Sequence, residues 1–237
     1  MSDQEIVNIL RDRLAVMEEQ IRFSCSQVNR SRSEVQLVAV TKSVSARVTG
    51  LLPSLGEIHL GENRPQTLWA KAAELSTLGI RWHMIGHLQR NKVERTLPLC
   101  EMIHSVDSIR LLETIDSESR KQNRTTRCLL EVNVSGEESK HGFSPSEVLL
   151  LAEKIASFSS VEVQGLMTMA PADDNPETAR PHFEKLREIR TTLQSQWGDL
   201  GQRLRHLSMG MSGDFQVAIE SGATLIRVGS TLFNGLE

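Results

Sequence analysis

The stretch TLIRVGST, residues 224–231, has the composition of a buried β-strand that ends in a turn of small residues. Arg227 lies in its middle, although a guanidinium keeps its charge in a protein and is costly to bury without a partner. The stretch is the last of eight short apolar runs that alternate with longer segments of helical spacing. It is therefore the eighth predicted strand, and the predicted fold depends on there being eight.

The eight runs share large apolar and β-branched residues and are bounded by polar or turn-forming ones. They span residues 35–42, 58–63, 80–87, 101–108, 127–135, 161–169, 205–212 and 224–230. Because buried strands separated by helices pair in parallel, eight units predict an α/β fold, a (β/α)8 TIM barrel, rather than an open doubly wound sheet. A chain of 237 residues suits one barrel, so residues 1–237 are expected to form a single domain.

An additional N-terminal helix is predicted over residues 3–28. Its apolar residues recur at steps of three and four, which is the spacing of an amphipathic helix: Ile6, Leu10, Leu14, Met17 and Ile21. The polar face carries both signs of charge, so we expect this helix to pack on the barrel rather than on a membrane.

The composition favours a soluble cytoplasmic protein. The net charge of −3 gives no general attraction to nucleic acid or to an anionic membrane, and no apolar run is long enough to span one. Cys25, Cys100 and Cys128 lie far apart, without CxxC or Cys/His ligand spacing. We therefore expect reduced thiols, no disulfide and no metal site.

Lys42 follows the uncharged run 35–41, at the end of the first predicted strand. Functional groups of such barrels gather where strands end. A lysine there can simply reach water, or it can be an amine, partly desolvated by the barrel, that condenses with an aldehyde. The sequence alone leaves both interpretations open.

Two runs of small residues end the seventh and eighth predicted strands: SMGMSGDF (208–215) and RVGSTLF (227–233). Small residues leave backbone N–H groups accessible, and barrels often bind phosphate at these two loops. Two ordinary glycine turns are the alternative. The position of the two runs, after the seventh and eighth strands, and the nearby Arg227 favour a phosphate site over ordinary turns.

Arg227 shares a strand face with Gly229, since residues two apart in a strand point the same way. A salt bridge to an inward acid such as Glu131 would be an ordinary structural role. A phosphate site, a lysine and a buried arginine are also what pyridoxal 5'-phosphate (PLP) requires for its phosphate, its aldehyde and its ring nitrogen. Lys42, the two loops and Arg227 supply all three.

The sequence resembles the pyridoxal phosphate homeostasis protein family, single-domain relatives of the alanine racemase barrel. The resemblance covers nearly all of the chain after the N-terminal helix. It rests on eight motifs in a fixed order: LVAVTK (37–42), GENRPQ (61–66), RWHMIGHLQRNK (81–92), IHSVD (103–107), EVNVSGEESKHGF (131–143), GLMTM (165–169), LSMGMSGDFQVAIESGAT (207–224) and IRVGSTLF (226–233).

The resemblance implies a fold-type III PLP-binding barrel and a set of cofactor-binding residues. Lys42 would hold PLP as a Schiff base, Asn63 would line its ring and Arg227 would face its ring nitrogen. Ser212, Gly229 and Ser230 would bind the phosphate. His83 would either shape the pocket or be a packed core histidine.

The chain departs from the family pattern around GEN. Leu60 stands where the family often has an aromatic residue, and Arg64 and Thr67 replace a frequent tyrosine and glutamate. Arg64 is either an added positive charge near the phosphate or a solvated residue at a helix start. Lys140 is a surface lysine or a second, transient Schiff-base site.

The resemblance implies a non-catalytic carrier that buffers PLP and passes it to apo PLP-dependent enzymes, with no catalytic residue. A PLP-dependent amino-acid racemase is the alternative, but the larger racemases use a tyrosine from a second domain as one of two bases, and this sequence has no tyrosine. Without that domain we expect a monomer. A cofactor-free Schiff-base aldolase would need a carboxylate near Lys42, and Glu62 is the candidate.

Overall fold

Each of the eight apolar runs forms a strand in the computed structural model, which describes residues 1–137, 141–171 and 173–236. The expectation for Lys140 lies outside the described residues. The strands are β1 (Gln36–Val40), β2 (His59–Glu62), β3 (Arg81–Met84), β4 (Cys100–Val106), β5 (Thr126–Glu131), β6 (Val161–Met167), β7 (His206–Ser208) and β8 (Leu225–Val228).

The strands pair in chain order and all neighbouring pairs are parallel. β1 also pairs with β8, where Val38 lies beside Arg227, so the sheet closes into a barrel. The predicted (β/α)8 barrel is confirmed. Its closure brings Lys42, after the first strand, next to the loop that follows the last.

Helices separate the strands and form the outer layer. In the described residues they are α1 (Asp3–Gln27), α2 (Ala46–Thr49), α3 (Pro65–Glu74), α4 (Val93–Thr96), α5 (Ile109–Lys121), α6 (Pro145–Leu149), α7 (Ala152–Ala156), α8 (Arg180–Gln196), α9 (Gly198–Arg203), α10 (Phe215–Glu220) and α11 (Ser230–Phe233). None of these helices is both long and apolar enough to cross a membrane.

The additional N-terminal helix is confirmed as α1. Ser2 is its N-cap and forms a capping box with Glu5: the Ser2 hydroxyl accepts from the Glu5 backbone N–H, and the Glu5 carboxylate accepts from the Ser2 backbone N–H. Its buried face includes Ile6, Leu10, Met17 and Ile21, and it packs against α10 and α11. The helix therefore covers the outer side of the last two barrel units, which carry the predicted phosphate loops.

The strands end earlier than the apolar runs predict. β7, for example, stops at Ser208, although the run continues to residue 212. Backbone hydrogen bonds between this segment and β8 continue as far as Gly210, and the small and polar residues that follow form a loop. The loops that follow the strands surround the end of the barrel where the strands finish, called the mouth below.

Candidate functional site

The mouth contains a cavity of about 510 Å³, a size that suits a small-molecule ligand. All six residues predicted to bind the cofactor line it: Lys42, Asn63, Ser212, Arg227, Gly229 and Ser230. The rest of the wall is mostly apolar or glycine: Val40, Ile85, Gly86, Met169, Met211 and Gly213. The structure therefore brings together in one cavity six predicted residues that are up to 188 positions apart in the sequence.

Lys42 extends into the cavity two residues beyond the end of β1. It makes no hydrogen bond or ion pair with any described residue. It is also exposed, so the partial desolvation expected of its amine is not found in this structure. The amine is free to react with a ligand in the cavity.

Glu62 is buried and forms an ion pair away from the Lys42 amine. Its Oε1 lies 2.6 Å from Lys71 Nζ and accepts a hydrogen bond of 2.7 Å from the Thr41 hydroxyl. Lys71 also donates to the Thr41 carbonyl oxygen at 2.7 Å. A buried pair of this kind is hard to break, because removing one partner leaves the other charge unpaired. The carboxylate that an aldolase would need is therefore committed to an ion pair with α3.

Arg227 is 4 % exposed and donates to two neutral acceptors. Its guanidinium bonds the Ser208 hydroxyl at 2.6 Å and the Thr168 carbonyl oxygen at 3.0 Å. No described carboxylate lies within ion-pair distance, so the alternative of a salt bridge to Glu131 is not found. Burial lowers the arginine pKa to about 10, with opposing effects from Glu131 and Asp214, and the group stays charged at neutral pH.

The loops after β7 and β8 meet at the Ser212 hydroxyl. Its Oγ accepts from the backbone N–H of Gly229 at 3.2 Å and from that of Thr231 at 3.4 Å. Gly210 makes the first loop possible, since its φ of +91° lies in a region that side chains disfavour. Two backbone amides and a hydroxyl thus converge at one end of the cavity.

Asn63 and Gly86 form the side of the cavity between the ends of β2 and β3. The two backbones approach so closely that a Cβ added to Gly86 would lie 2.9 Å from the Asn63 Cα. Glycine at position 86 therefore lets Asn63 keep its place in the wall. Arg64 is the exposed cap residue of α3 and does not line the cavity.

His83 does not shape the cavity wall but is 2 % exposed inside the barrel. It belongs to a chain of hydrogen-bonded imidazoles, the histidine chain, formed by His59, His83 and His104. Ring nitrogens of His59 and His83 lie 3.0 Å apart, and those of His83 and His104 lie 2.8 Å apart. His104 Nδ1 then lies 2.8 Å from the Ser208 hydroxyl that accepts from Arg227.

This histidine chain was not predicted from the sequence. His59, His83 and His104 lie on three consecutive strands, and the pairing register places their side chains on the inner face. A histidine on each of three neighbouring predicted strands was the available signal. Parity along each strand would have placed all three inside the barrel.

Other polar residues near the strand ends have local partners. The Thr168 hydroxyl donates to the Val132 carbonyl oxygen at 2.8 Å, and Asn133 bonds residues of its own loop. His87 lies 2.8 Å from Asp107, on the side of the mouth formed by β3 and β4. None of these residues lines the cavity.

The family described as "Alanine racemase, N-terminal domain" matches residues 19–236 of the chain. The "Pyridoxal phosphate homeostasis protein" of Aquifex aeolicus (strain VF5) is 40% identical over 222 residues, which are 94% of this chain and 96% of that one. The mouse protein of the same name is 37% identical over 93% of this chain and 84% of its own length.

Solved structures agree with these sequence matches. A protein from Bifidobacterium adolescentis superposes with a TM-score of 0.91 at 35% identity, over 98% of both chains. PipY of Synechococcus elongatus PCC7942, solved with PLP bound, gives a TM-score of 0.81 at 32% identity, over 95% of this chain and 100% of that one. The chain belongs to the pyridoxal phosphate homeostasis protein family, within the group that shares the N-terminal domain of alanine racemase.

Proposed function

We propose that this chain binds PLP in the mouth cavity and acts in PLP homeostasis as a non-catalytic carrier. The observation that carries the proposal is the convergence of an unpaired lysine, two backbone amides and a buried arginine on one cavity. The PLP-bound relative and the names of the other relatives support it. Bound PLP would supply a reactive aldehyde and an anionic phosphate.

Lys42 would hold the cofactor as a Schiff base. It is the single lysine among the described residues of the cavity wall, and no ion pair with them has to break before its amine reacts. Asn63 would lie beside the ring. The apolar wall, which includes Val40 and Met211, would pack against the flat ring.

Ser212, Gly229 and Ser230 would bind the phosphate. The Ser212 hydroxyl oxygen accepts hydrogen bonds from the backbone N–H groups of Gly229 and Thr231. We expect an oxygen of the phosphate to bind near these donors. Backbone amides suit this role because they donate without needing a counterion. The loop after β8 lies next to β1, which Lys42 follows, so one ligand could contact both.

Arg227 would donate to the ring nitrogen and keep it unprotonated. Its positive charge is not neutralised by a described acid, and it remains protonated at neutral pH. A ring nitrogen without a proton is a weak electron sink. This favours holding the cofactor over using it for carbanion chemistry.

The cavity wall also favours a carrier over an amino-acid racemase. Among the described wall residues Lys42 is the single proton-accepting side chain, and the sequence has no tyrosine. Two-base proton transfer needs a group on each face of the ring. The aldolase interpretation is disfavoured because Glu62 is held by Lys71.

We further infer that one chain acts as a monomer and passes PLP to apo PLP-dependent enzymes. All six proposed ligand residues come from one chain, so the cavity wall requires no second copy. Sedimentation of the PLP-loaded protein as a single 26.5 kDa species would support the monomer.

The absorption spectrum of the PLP-loaded protein tests the site. The wild type should show the visible band of a lysine Schiff base, which bleaches on borohydride reduction, and Lys42→Ala should lack it. Lys185→Ala, which removes an exposed lysine of α8, is the matched control and should keep the band. A retained band in Lys42→Ala would contradict the assignment.

Deuterium exchange separates the carrier from an enzyme. Amino acids are added to the loaded protein in deuterated solvent and exchange of the α-proton is followed by NMR. A carrier should give no exchange above that of free PLP. Exchange at an enzymatic rate would replace the carrier by the racemase alternative.

A further inference from the structure

His87, Asp107 and His141 form a second cluster at the mouth, called the His–Asp cluster below. They follow three consecutive strands, β3, β4 and β5. In the closed order of eight strands, β4 lies opposite β8, so this cluster lies across the mouth from the proposed phosphate loops. None of the three residues lines the PLP cavity.

The three side chains direct their polar atoms to one point. His87 Nδ1 lies 2.8 Å from Asp107 Oδ2, and His141 Nδ1 lies 3.9 Å from the same oxygen. The two imidazoles stack with ring centroids 4.4 Å apart and an angle of 16° between planes. The three potential ligand atoms all lie within 4.8 Å of one another.

These spacings are close to those of a metal site. Around a tetrahedral Zn²⁺, with bonds of about 2.0–2.1 Å, ligand atoms lie about 3.3 Å apart. The side chains of His87 and His141 are 45% and 63% exposed, so small rotations can bring their nitrogens to that separation. Asp107 is largely buried and would be the fixed ligand.

The surrounding charge favours a cation. Glu131 is 5% exposed, and its carboxyl group lies near enough to interact electrostatically with Asp107, as well as with Arg227 and His87. Glu131 makes no ion pair with a described residue. Two carboxyl groups therefore share a region where a divalent ion would offset their repulsion.

The donor set selects the class of ion. Imidazole and carboxylate together suit Zn²⁺ and other first-row transition ions, whereas Mg²⁺ and Ca²⁺ prefer oxygen alone. The cysteines do not compete, because all three are buried, and burial raises the thiol pKa of Cys100 and Cys128 to about 12. Three protein ligands leave at least one coordination position for water or an anion.

We propose that His87, Asp107 and His141 bind one divalent first-row transition-metal ion, with Zn²⁺ as the probe. The site is distinct from the PLP cavity and does not depend on the proposed carrier function. The spacing of cysteines and histidines along the sequence did not indicate a metal site. Here the ligands come from three separate strand ends.

Calorimetric titration of the untagged full chain with Zn²⁺ tests the proposal. The wild type should bind one ion per chain. His87→Ala and His141→Ala should each weaken binding at least about tenfold, and both should keep the wild-type melting temperature because the side chains are exposed. His182→Ala, which removes a histidine on α8 away from the cluster, is the matched control and should bind as the wild type does.

X-ray absorption at the zinc edge provides an independent measurement. The bound ion should show a nitrogen and oxygen shell at about 2.0–2.1 Å, imidazole scattering and no sulfur ligand. The proposal is overturned if the wild type shows no saturable binding, if binding survives in both cluster variants, if His182→Ala weakens it equally, or if sulfur ligands appear.

Discussion

Ser208 determines where the hydrogens lie along the histidine chain. Its oxygen accepts from Arg227, so its own proton must go to another acceptor in a buried site, and His104 Nδ1 is 2.8 Å away. His104 then carries its proton on Nε2 and donates to His83 Nδ1, and His83 donates from Nε2 to His59 Nδ1. All three imidazoles are expected to be neutral Nε2–H tautomers.

Nitrogen-15 NMR of histidine-labelled protein at pH 7 checks this expectation. The signals of His59, His83 and His104 should be those of neutral imidazoles with protons on Nε2, and those of His83 and His104 should exchange slowly with solvent because both side chains are buried. A proton on Nδ1 of His104 would contradict the assignment, since it would leave the Ser208 proton without its acceptor.

The positions of Lys42 and Arg227 at one cavity agree with the sequence-based expectation, whereas their roles toward a cofactor stay predictions. Lys42 and Arg227 stand out in the sequence because each is a charged residue in or directly after an apolar run, and both line the cavity. His83 looked the same on sequence as a cavity residue. Its hydrogen bonds to His59 and His104 show that it lies inside the barrel.

The junction of β2 and β3 depends on a glycine. Gly86→Ala would place a Cβ 2.9 Å from the Asn63 Cα, so one backbone must move. We expect a loss of about 1–3 kcal/mol in the free energy of unfolding, as for other overpacked sites, and weaker PLP binding because Asn63 shifts. Urea denaturation and fluorescence titration measure the two effects.

Gly213→Ala is the matched control for this prediction. Gly213 also lines the cavity, but an added Cβ there meets no atom within 4 Å. Its effect on unfolding should stay within about 0.5 kcal/mol. Equal effects of the two substitutions would show that the close approach at Gly86 is not what matters.

Elements were predicted more reliably in number than in extent. All eight strands exist, because continuous apolar runs mark buried parallel strands. The segment 144–158, which has helical spacing throughout, instead forms α6 and α7, with Leu150 between them 82% exposed. The spacing does not reveal where tertiary contacts interrupt a helix.

Buried histidines should make the folded protein sensitive to acid. Burial lowers the His83 pKa to about 3 and holds the His104 pKa well below its ordinary value. As pH falls below about 6.5, the unfolded chain therefore takes up protons that the folded chain does not, and the free energy of unfolding falls. Each group contributes up to about 1.4 kcal/mol per pH unit in this range.

The variant His83→Gln isolates one of these groups. Between pH 6 and pH 4 its free energy of unfolding, measured by urea denaturation, should fall less steeply than that of the wild type, by up to about 1.4 kcal/mol per pH unit. Above pH 7.5 the two curves should run parallel. Identical slopes in acid would mean that His83 accepts a proton in the folded state.

The architecture as a whole follows from the sequence, because eight alternating units have few ways to bury their strands. The closed order explains why Lys42, near the start of the chain, meets Gly229, near its end. Contacts between neighbouring loops at the mouth, such as that of His141 with His87, depend on loop conformations that no periodicity encodes. The His–Asp cluster could be found only from the structure.

The attachment of PLP to Lys42 is the central claim, and reduction followed by peptide mapping tests it most directly. The PLP-loaded protein is treated with borohydride, digested and analysed by mass spectrometry. We expect one pyridoxyl group per chain, on the peptide that contains Lys42. A label found on another lysine, with Lys42 unmodified, would contradict the account.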